Sequence, residues 1–187
     1  RTLVAILAIV ILFWQVRRSR ATGGMARWRF TAAAALYPGA LLAFAPLLRG
    51  LAQGREWVLF LVLDTFATDI AAFTMGKLAG KTPLAPSISP GKTREGAIAG
   101  VVAAGLSAPV LALSLNLSTS VTSALVLGLL LGVTGQLGDL SESRLKRWAG
   151  VKDSGTLIPG HGGVLDRLDS IVFNLVLVYY FVLGVVQ

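Results

Sequence analysis

The segment that begins at Gly138 carries side chains that could handle a cation and a phosphate together. Four of these side chains are spaced at i, i+3, i+4 and i+7, which places them on one face of a helix. They belong to Asp139, Glu142, Ser143 and Lys146. No helix breaker separates them from the apolar run before, so we predict that this helix continues through them. A solvated helix end, with Glu142 and Lys146 as an ordinary surface pair, is the alternative explanation.

A glycine-rich stretch follows and could bind an anion. Gly155, Gly160, Gly162 and Gly163 let backbone N–H groups approach an anion closely, and a turn that leads into a helix N-terminus favours phosphate. His161, the only histidine of the chain, could contact phosphate or assist proton transfer. From spacing alone, a structural histidine that hydrogen-bonds the loop is the favoured alternative.

Two aspartates at opposite ends of this polar region could share a metal ion. Asp139 precedes the glycines, and Asp166 follows them, three residues before Asp169. Two carboxylates, completed by water and phosphate oxygens, suit Mg²⁺. Such an ion, flanked by basic side chains, serves phosphoryl or nucleotidyl transfer. A thiolate zinc site and a three-histidine site are excluded, since the chain has no cysteine and one histidine.

A second basic, hydroxyl-rich segment covers residues 76–96. Ser89, Lys92 and Thr93 resemble a fragment of a phosphate loop, although the Walker spacing is absent. Asp69, near the end of the apolar run before this segment, could line the same site. Asp64 lies deeper in that run and is either a helix-packing hydrogen bonder or a functional group.

Composition indicates a membrane protein. The chain of 187 residues is 55% hydrophobic and only 14% charged, against roughly 25% charged residues in soluble proteins. Its mean hydropathy is +0.74. We therefore predict an all-α, polytopic membrane protein with about six spans in one catalytic domain, residues 1–187.

Pro38 and Pro46 should kink or end the second span, and the missing initiator methionine suggests a fragment of a longer protein. The predicted spans are Leu3–Val16, Phe30–Leu48, Trp57–Met75, Ile98–Leu117, Val121–Leu137 and Ile171–Val186.

Basic residues alternate between the connections of these spans. The first, third and fifth connections are basic, whereas the second and fourth carry few or no charges, as the positive-inside rule requires. Both polar segments, 76–95 and 138–169, should therefore face the cytoplasm. The net charge of +8 is better explained by this bias and by anionic lipid headgroups than by nucleic acid. We predict a bacterial cytoplasmic membrane protein that does not bind nucleic acid.

The fifth connection resembles the signature of the phosphatidate cytidylyltransferase, or CDP-diacylglycerol synthase, family. Its fixed positions are all filled over 27 residues. Residues 69–96 resemble the upstream segment of the same family, so the resemblance runs from Asp69 to the C-terminus. The N-terminal third is only generically similar. The matching signature residues are Ser143, Leu145, Lys146, Arg147, Lys152, Asp153, Gly155, Ile158, Pro159, His161, Gly162, Gly163, Val164, Asp166, Arg167, Leu168 and Asp169.

The resemblance implies a reaction and a site. Phosphatidic acid and CTP would give CDP-diacylglycerol and pyrophosphate at a membrane, with Mg²⁺ held by Asp139 and Asp166. A second cation and a homodimer are left open. The catalytic residues implied besides these two are Lys146, Arg147, Lys152, Asp153, His161, Arg167 and Asp169. The substrate-binding residues implied are Asp69, Ser89, Lys92, Thr93, Ser143, Gly162 and Gly163.

Three other interpretations remain. A CDP-alcohol phosphotransferase would need a denser run of aspartates than the Asp166–Asp169 pair. A transporter for an anionic solute would use intramembrane Asp64 and Asp69, but it does not explain why polar residues concentrate in two segments on one side. A folded but inactive fragment, which lacks helices that complete the lipid cavity, is the third.

Overall fold

The computed structural model describes residues 39–148 and 165–186. The chain divides into two compact units, residues 1–40 and 41–187. The described part of the second unit contains helices and one small hairpin. Its elements are α1 (Phe44–Arg49), α2 (Gly54–Ala79), β1 (Pro83–Ala85), β2 (Ser89–Thr93), α3 (Arg94–Ser114), α4 (Val121–Trp148), α5 (Leu165–Phe181) and a π-helical turn, Val182–Val186.

Within residues 39–148 and 165–186, four helices are long and apolar enough to cross a membrane, and the chain is an integral membrane protein. They correspond to the last four predicted spans, which are confirmed. The predicted span Leu3–Val16 lies outside the described residues, as does much of Phe30–Leu48, so the count of six is not confirmed. The four candidate spans are Gly54–Ala79, Arg94–Ser114, Val121–Arg147 and Leu168–Val186.

The described end of the second predicted span contains the short helix α1. A turn at Ala43 precedes it, and Pro46 lies in its first turn. Proline is tolerated there because a first-turn N–H has no partner within the helix. The break that we predicted from Pro46 therefore falls at the start of α1.

Consecutive long helices run antiparallel. Gly128 of α4 packs on Ala104 of α3, and Gly132, one turn later, packs on Val101. A Cβ atom on Gly128 would lie 2.3 Å from the Ala104 carbonyl oxygen, so the two backbones nearly touch. The α3 side of this contact is a buried row of small residues at every fourth position: Gly100, Ala104, Ala108 and Ala112. Membrane helices associate through such small-residue seams.

One end of the bundle is closed by neutral contacts. Trp57 is buried between the rings of Phe60 and Phe181, at centroid distances of 5.4 and 5.9 Å. The Gln53 side chain donates to the Asn116 carbonyl oxygen at 2.8 Å and accepts from the Ser118 N–H at 2.9 Å. This amide ties the start of α2 to the α3–α4 connection.

The opposite end carries a β-hairpin where the sequence pattern predicted only a polar loop. Strands β1 and β2 are antiparallel, with Pro83 opposite Thr93. The Glu95 carboxylate accepts from the backbone N–H groups of Lys81 and Thr82 at 3.2 Å. A two-stranded hairpin is marginal alone, and Glu95 attaches this one to the first turn of α3.

Candidate active site

A cavity of about 460 Å³ lies at the hairpin end of the bundle. At this end α2 and α4 finish, and α3 and α5 begin, so four helices and the hairpin contribute to it. One part of the lining is charged, and the other part is apolar or aromatic. The lining residues are Phe66, Asp69, Ala72, Phe73, Gly76, Lys77, Leu84, Gly91, Lys92, Thr93, Gly96, Ala97, Gln136, Asp139, Asp169 and Ser170.

Three aspartates from three helices face this cavity. Asp69 comes from α2, Asp139 from α4 and Asp169 from α5. Asp69 is close enough to both other carboxylates for their charges to repel, and Asp169 also lies within interaction range of Asp139. Nearby cations stabilise such a group of like charges at a half-buried site.

Lys92 supplies one of those cations. Its ammonium group forms a salt bridge with the Asp139 carboxylate, and its charge also acts favourably on Asp69 and Asp169. Both partners of the salt bridge are about 30% exposed. The pair is therefore accessible from the cavity, as a site that exchanges partners with a substrate must be.

The hairpin and the start of α3 bring Lys92 to this position. Thr93 is the N-cap of α3, where its hydroxyl oxygen accepts from the Gly96 N–H at 3.2 Å. A Cβ atom on Gly96 would lie 2.5 Å from the Ala72 carbonyl oxygen, and one on Gly80 would lie 2.7 Å from the Thr93 side chain. Glycines at these positions let the end of α2 and the start of α3 approach closely, which brings β2 beside α4.

The polar face predicted on α4 is present. The Ser143 hydroxyl donates to Asp139 Oδ1 at 3.4 Å, and Lys146 Nζ lies 3.4 Å from Glu142 Oε1. Glu142 is only 2% exposed, and its carboxyl group is a hydrogen-bonding neighbour of Asp169. The alternative of a solvated helix end with an ordinary surface pair is therefore wrong.

Five of the predicted site residues line the cavity: Asp69, Lys92, Thr93, Asp139 and Asp169. Ser143 adjoins it through Asp139. Ser89, Lys146 and Arg147 are described but are not part of the lining, and Arg147 Nε instead donates to the Ile88 carbonyl oxygen at 3.3 Å. Asp166 and Arg167 belong to the first turn of α5, but their side chains lie outside what the structure describes. The predicted residues outside the described part altogether are Lys152, Asp153, His161, Gly162 and Gly163.

Sequence reasoning missed several lining residues. Gln136 lies three residues before Asp139, on the same helix face, and its Nε2 donates to the Ala97 carbonyl oxygen at 2.9 Å. Lys77 holds its ammonium group 4.4 Å from the centroid of the Phe73 ring. The helical spacing of Gln136 from Asp139, and of Lys77 from Asp69, could have identified these two residues from the sequence.

Asp64 has a different environment from Asp69. It is fully buried and accepts a hydrogen bond of 2.6 Å from the Ser107 hydroxyl of α3, and it does not line the cavity. Of the two interpretations left open, the structure favours a helix-packing role for Asp64.

The chemistry of the cavity fits a divalent cation. Among the described residues, no group of three acidic or histidine side chains is close enough to hold a metal ion by itself. The described lining of the cavity nevertheless contains three aspartates against two lysines, Lys77 and Lys92, so carboxylate charge is in excess within this part of the site. Carboxylate oxygens are ligands that Mg²⁺ prefers, and it usually takes only one or two of them with phosphate and water.

Comparison with known proteins assigns the family. The Cytidylyltransferase family model matches residues 1–185. The chain belongs to the cytidylyltransferase family. The expected resemblance is thereby confirmed.

Individual members of this family show how much of a relative the chain covers. It is 52% identical to the phosphatidate cytidylyltransferase of Synechocystis sp. over 117 residues, which are 63% of this chain and 40% of that one. Identity to the Bacillus subtilis phosphatidate cytidylyltransferase is 37% over 178 residues, 95% of this chain and 66% of that one. The Staphylococcus saprophyticus phosphatidate cytidylyltransferase is 40% identical over 123 residues, 66% and 47% of the two chains. The chain thus spans between two fifths and two thirds of these relatives.

Proposed function

We propose that this cytidylyltransferase-family protein transfers a cytidylyl group from CTP to phosphatidic acid, producing CDP-diacylglycerol and pyrophosphate. One observation carries the proposal: the three aspartates and Lys92 converge on one cavity at the end of a membrane-spanning bundle. The names of the related phosphatidate cytidylyltransferases support the choice of substrates.

The two-part lining of the cavity suits a substrate that is half lipid. Phe66 and Phe73 line the apolar part and are 53% and 63% exposed. They continue an exposed apolar surface of α2, formed at helical spacing by Leu59, Leu63 and Ile70. In a membrane, that surface contacts acyl chains. A lipid could therefore bring its phosphate to Lys92 and Asp139 while its chains remain beside the two aromatic rings.

The transfer needs charge stabilisation more than a strong base. An oxygen of the lipid phosphate attacks the α-phosphorus of CTP, the bond from that phosphorus to the bridging oxygen breaks, and pyrophosphate leaves with the electron pair. A phosphate monoester is largely deprotonated near neutral pH, since its second pKa is about 6. In this proposal Lys92 neutralises developing charge, and the helix ends around it hold the two phosphates in position.

We assign the divalent ion, Mg²⁺, to Asp139 and Asp166, as the family resemblance implies. When bound, the ion would neutralise charge on the transferring and leaving phosphates. The support from the described residues is the excess of carboxylates around Asp139. Asp69 and Asp169 are then the nearby acids that would bind a second cation, if the reaction uses one.

The decisive experiment is a CTP-incorporation assay with the full-length protein in detergent and phosphatidic acid as acceptor. We expect CDP-lipid formation that requires Mg²⁺, and a loss of at least about 100-fold in Asp139→Asn and Asp166→Asn, in line with removal of charge stabilisation from a transition state. Glu56→Gln, at the other end of α2, removes an acid of the same charge and should retain wild-type activity.

Each alternative has its own outcome in this assay. Wild-type rates in both aspartate variants would remove these residues from the metal centre. Consumption of a CDP-lipid with an alcohol acceptor would indicate a phosphotransferase. Solute uptake into proteoliposomes without nucleotide turnover would indicate a transporter.

We also propose that the cavity faces the cytoplasm, where CTP is available. The described cavity end carries Lys77, Lys81, Lys92 and Arg94, whereas the α3–α4 connection at the opposite end, residues 115–120, has no charge. Because the chain has no cysteine, single cysteines at Lys81 and Ser118 can be labelled cleanly. An impermeant maleimide should label Ser118→Cys in intact cells and Lys81→Cys only in inverted vesicles, and the reverse pattern would contradict this orientation.

A further inference from the structure

A buried asparagine joins three of the membrane helices. Asn174 of α5 is 1% exposed. Its Oδ1 accepts from the Thr134 hydroxyl of α4 at 2.6 Å, and its Nδ2 donates to the Thr65 hydroxyl of α2 at 3.3 Å. One amide group thus connects α5 to both α2 and α4.

The two threonines use their hydroxyl groups differently. The Thr65 hydroxyl donates its proton to the Leu61 carbonyl oxygen of its own helix at 2.8 Å, so its oxygen is left to accept from Asn174. The Thr134 hydroxyl has a single proton, for which Asn174 Oδ1 at 2.6 Å competes with the Leu130 carbonyl oxygen of its own helix at 2.9 Å, and the contact with Asn174 is the shorter one. Leu61, Leu131 and Val178 lie three or four residues from Thr65, Thr134 and Asn174 along their helices and belong to one buried apolar cluster. In a membrane interior a displaced amide finds no water, so the arrangement that satisfies both hydrogen bonds is favoured over neighbouring registers.

Two glycines of α4 let α5 come close enough for this contact. A Cβ atom on Gly135 would lie 3.0 Å from Asn174 Nδ2, and one on Gly138 would lie 2.5 Å from the Phe173 ring and 2.8 Å from the Asp169 carbonyl oxygen. The glycines therefore set the distance between the helices, but a smooth glycine surface does not fix their register. The hydrogen bonds of Asn174 can do so.

The three residues of this contact lie at similar distances from the three cavity aspartates. Asp69 follows Thr65 by four residues, Asp139 follows Thr134 by five, and Asp169 precedes Asn174 by five. Because α5 is antiparallel to α2 and α4, all three intervals run toward the cavity. At about 1.5 Å per residue, each aspartate is roughly 6–7.5 Å along its helix from the contact.

We propose that Asn174 is a positioning residue that sets the register of α5 against α2 and α4. Through it, Asp169 and the first turn of α5 are held opposite Asp69 and Asp139. The consequence for catalysis rests on the proposed function, whereas the register itself can be measured without it.

The register can be read from disulfide formation, since the chain has no cysteine of its own. A Cβ atom on Gly135 would lie 3.5 Å from the Ser170 Cβ atom, within the range that a disulfide accepts. The pair Gly135→Cys/Ser170→Cys should therefore cross-link in the full-length protein, with any cysteine outside these 187 residues replaced by serine. The pair Gly135→Cys/Ile171→Cys, turned by about 100° around α5, should cross-link poorly. A Cβ atom at position 135 lies 3.0 Å from Asn174 Nδ2, so the amide must shift by a few tenths of an ångström, and this shift is common to both cysteine pairs.

Asn174→Leu replaces the amide with an apolar side chain of similar size. We expect the preference for Ser170 over Ile171 to fall at least threefold in this background. In the cysteine-free protein, we expect kcat for CDP-lipid formation to fall about tenfold or more and the Mg²⁺ concentration for half-maximal activity to rise. Thr134→Val and Thr65→Val each remove one hydrogen bond to Asn174, together with the contact of that hydroxyl with its own helix backbone, and keep the volume. They should have smaller effects of the same kind.

The two readouts separate the failure of this proposal from the failure of the proposed function. An unchanged cross-linking preference in Asn174→Leu would overturn the proposal, whatever happens to activity. A changed preference with unchanged kcat and Mg²⁺ dependence would overturn the link from register to the site. If Asn174→Leu does not fold, the two threonine variants supply both measurements, and wild-type behaviour in both would overturn the proposal. A wild-type protein without activity would contradict the proposed function and leave the cross-linking test intact.

Discussion

Lys92 occupies a position where one side chain affects several charges. It pairs with Asp139 and also acts on Asp69 and Asp169. Together with Lys77, it is one of two described cations that line the cavity, and it comes from a hairpin rather than from a helix. Its ammonium group therefore compensates the carboxylates before substrate binds and is available to a phosphate afterwards.

We expect Lys92→Gln to lower kcat for CDP-lipid formation by about 100-fold, since removal of one group that stabilises transition-state charge commonly has an effect of this size. The CTP-incorporation assay measures it. Arg55→Gln removes the same charge from an exposed position at the opposite end of α2, and its activity should equal that of the wild type. A kcat of Lys92→Gln within about threefold of the wild-type kcat would show that Lys92 only compensates the charge of the aspartates in the absence of substrate.

Among the elements, α3 and α4 are held together by close backbone contact. Gly128 and Gly132 pack on the row of small residues in α3, and nearer the cavity Gln136 of α4 adds a hydrogen bond to the Ala97 carbonyl oxygen of α3. The addition of one methyl group at Gly128 should therefore lower the stability of this helix pair. The atom opposite Gly128 is the backbone carbonyl oxygen of Ala104, which cannot move aside as a flexible side chain can.

Gly128→Ala should destabilise the protein by about 1–3 kcal/mol, the usual cost of overpacking. The four tryptophans allow unfolding in detergent to be followed by fluorescence. Gly184→Ala is the matched control, because a Cβ atom there would contact nothing within 4 Å. Equal unfolding midpoints for the two variants would contradict the close contact between α3 and α4.

One carboxylate attaches the start of the hairpin to α3, in addition to the contacts that Lys92 and Ile88 make with α4. Glu95 accepts from the N–H groups of Lys81 and Thr82, and Lys92 lies on the strand that leads into the same helix. We expect Glu95→Ala to raise the KM for CTP severalfold and to speed hydrogen exchange at Lys81 and Thr82, because both amides lose their acceptor. Glu56→Ala, which removes an acid from the first turn of α2, should change neither. Unaltered exchange in Glu95→Ala would show that strand pairing alone holds the hairpin.

These elements differ in how far the sequence could predict them. The long helices followed from runs of apolar residues, and the polar face of α4 followed from helical spacing, because both are local patterns. The hairpin was missed, since its strands of three and five residues contain proline and glycine and are fixed by Glu95 from the following helix. Contacts such as Lys92 with Asp139, 47 residues apart, arise from packing that no local pattern describes.

On the scale of the whole molecule, the two ends of the bundle are built differently. The Gln53 end is closed by neutral hydrogen bonds and aromatic packing, whereas the cavity end is held partly by charge. The charge alternation of the sequence predicted that both polar segments belong to one side. The described helices agree with this, because α2 and α4 end there and α3 and α5 begin there.

That each cavity aspartate is carried by a different helix links the site to the thickness of the bilayer. The helices α2 and α4 have 26 and 28 residues, or about 39 and 42 Å, against a hydrocarbon core of about 30 Å. Helices longer than the core tilt more as the membrane becomes thinner, and each tilt moves the carboxylate at its end relative to the others. The length of the acyl chains in the surrounding membrane therefore affects the distances between Asp69, Asp139 and Asp169.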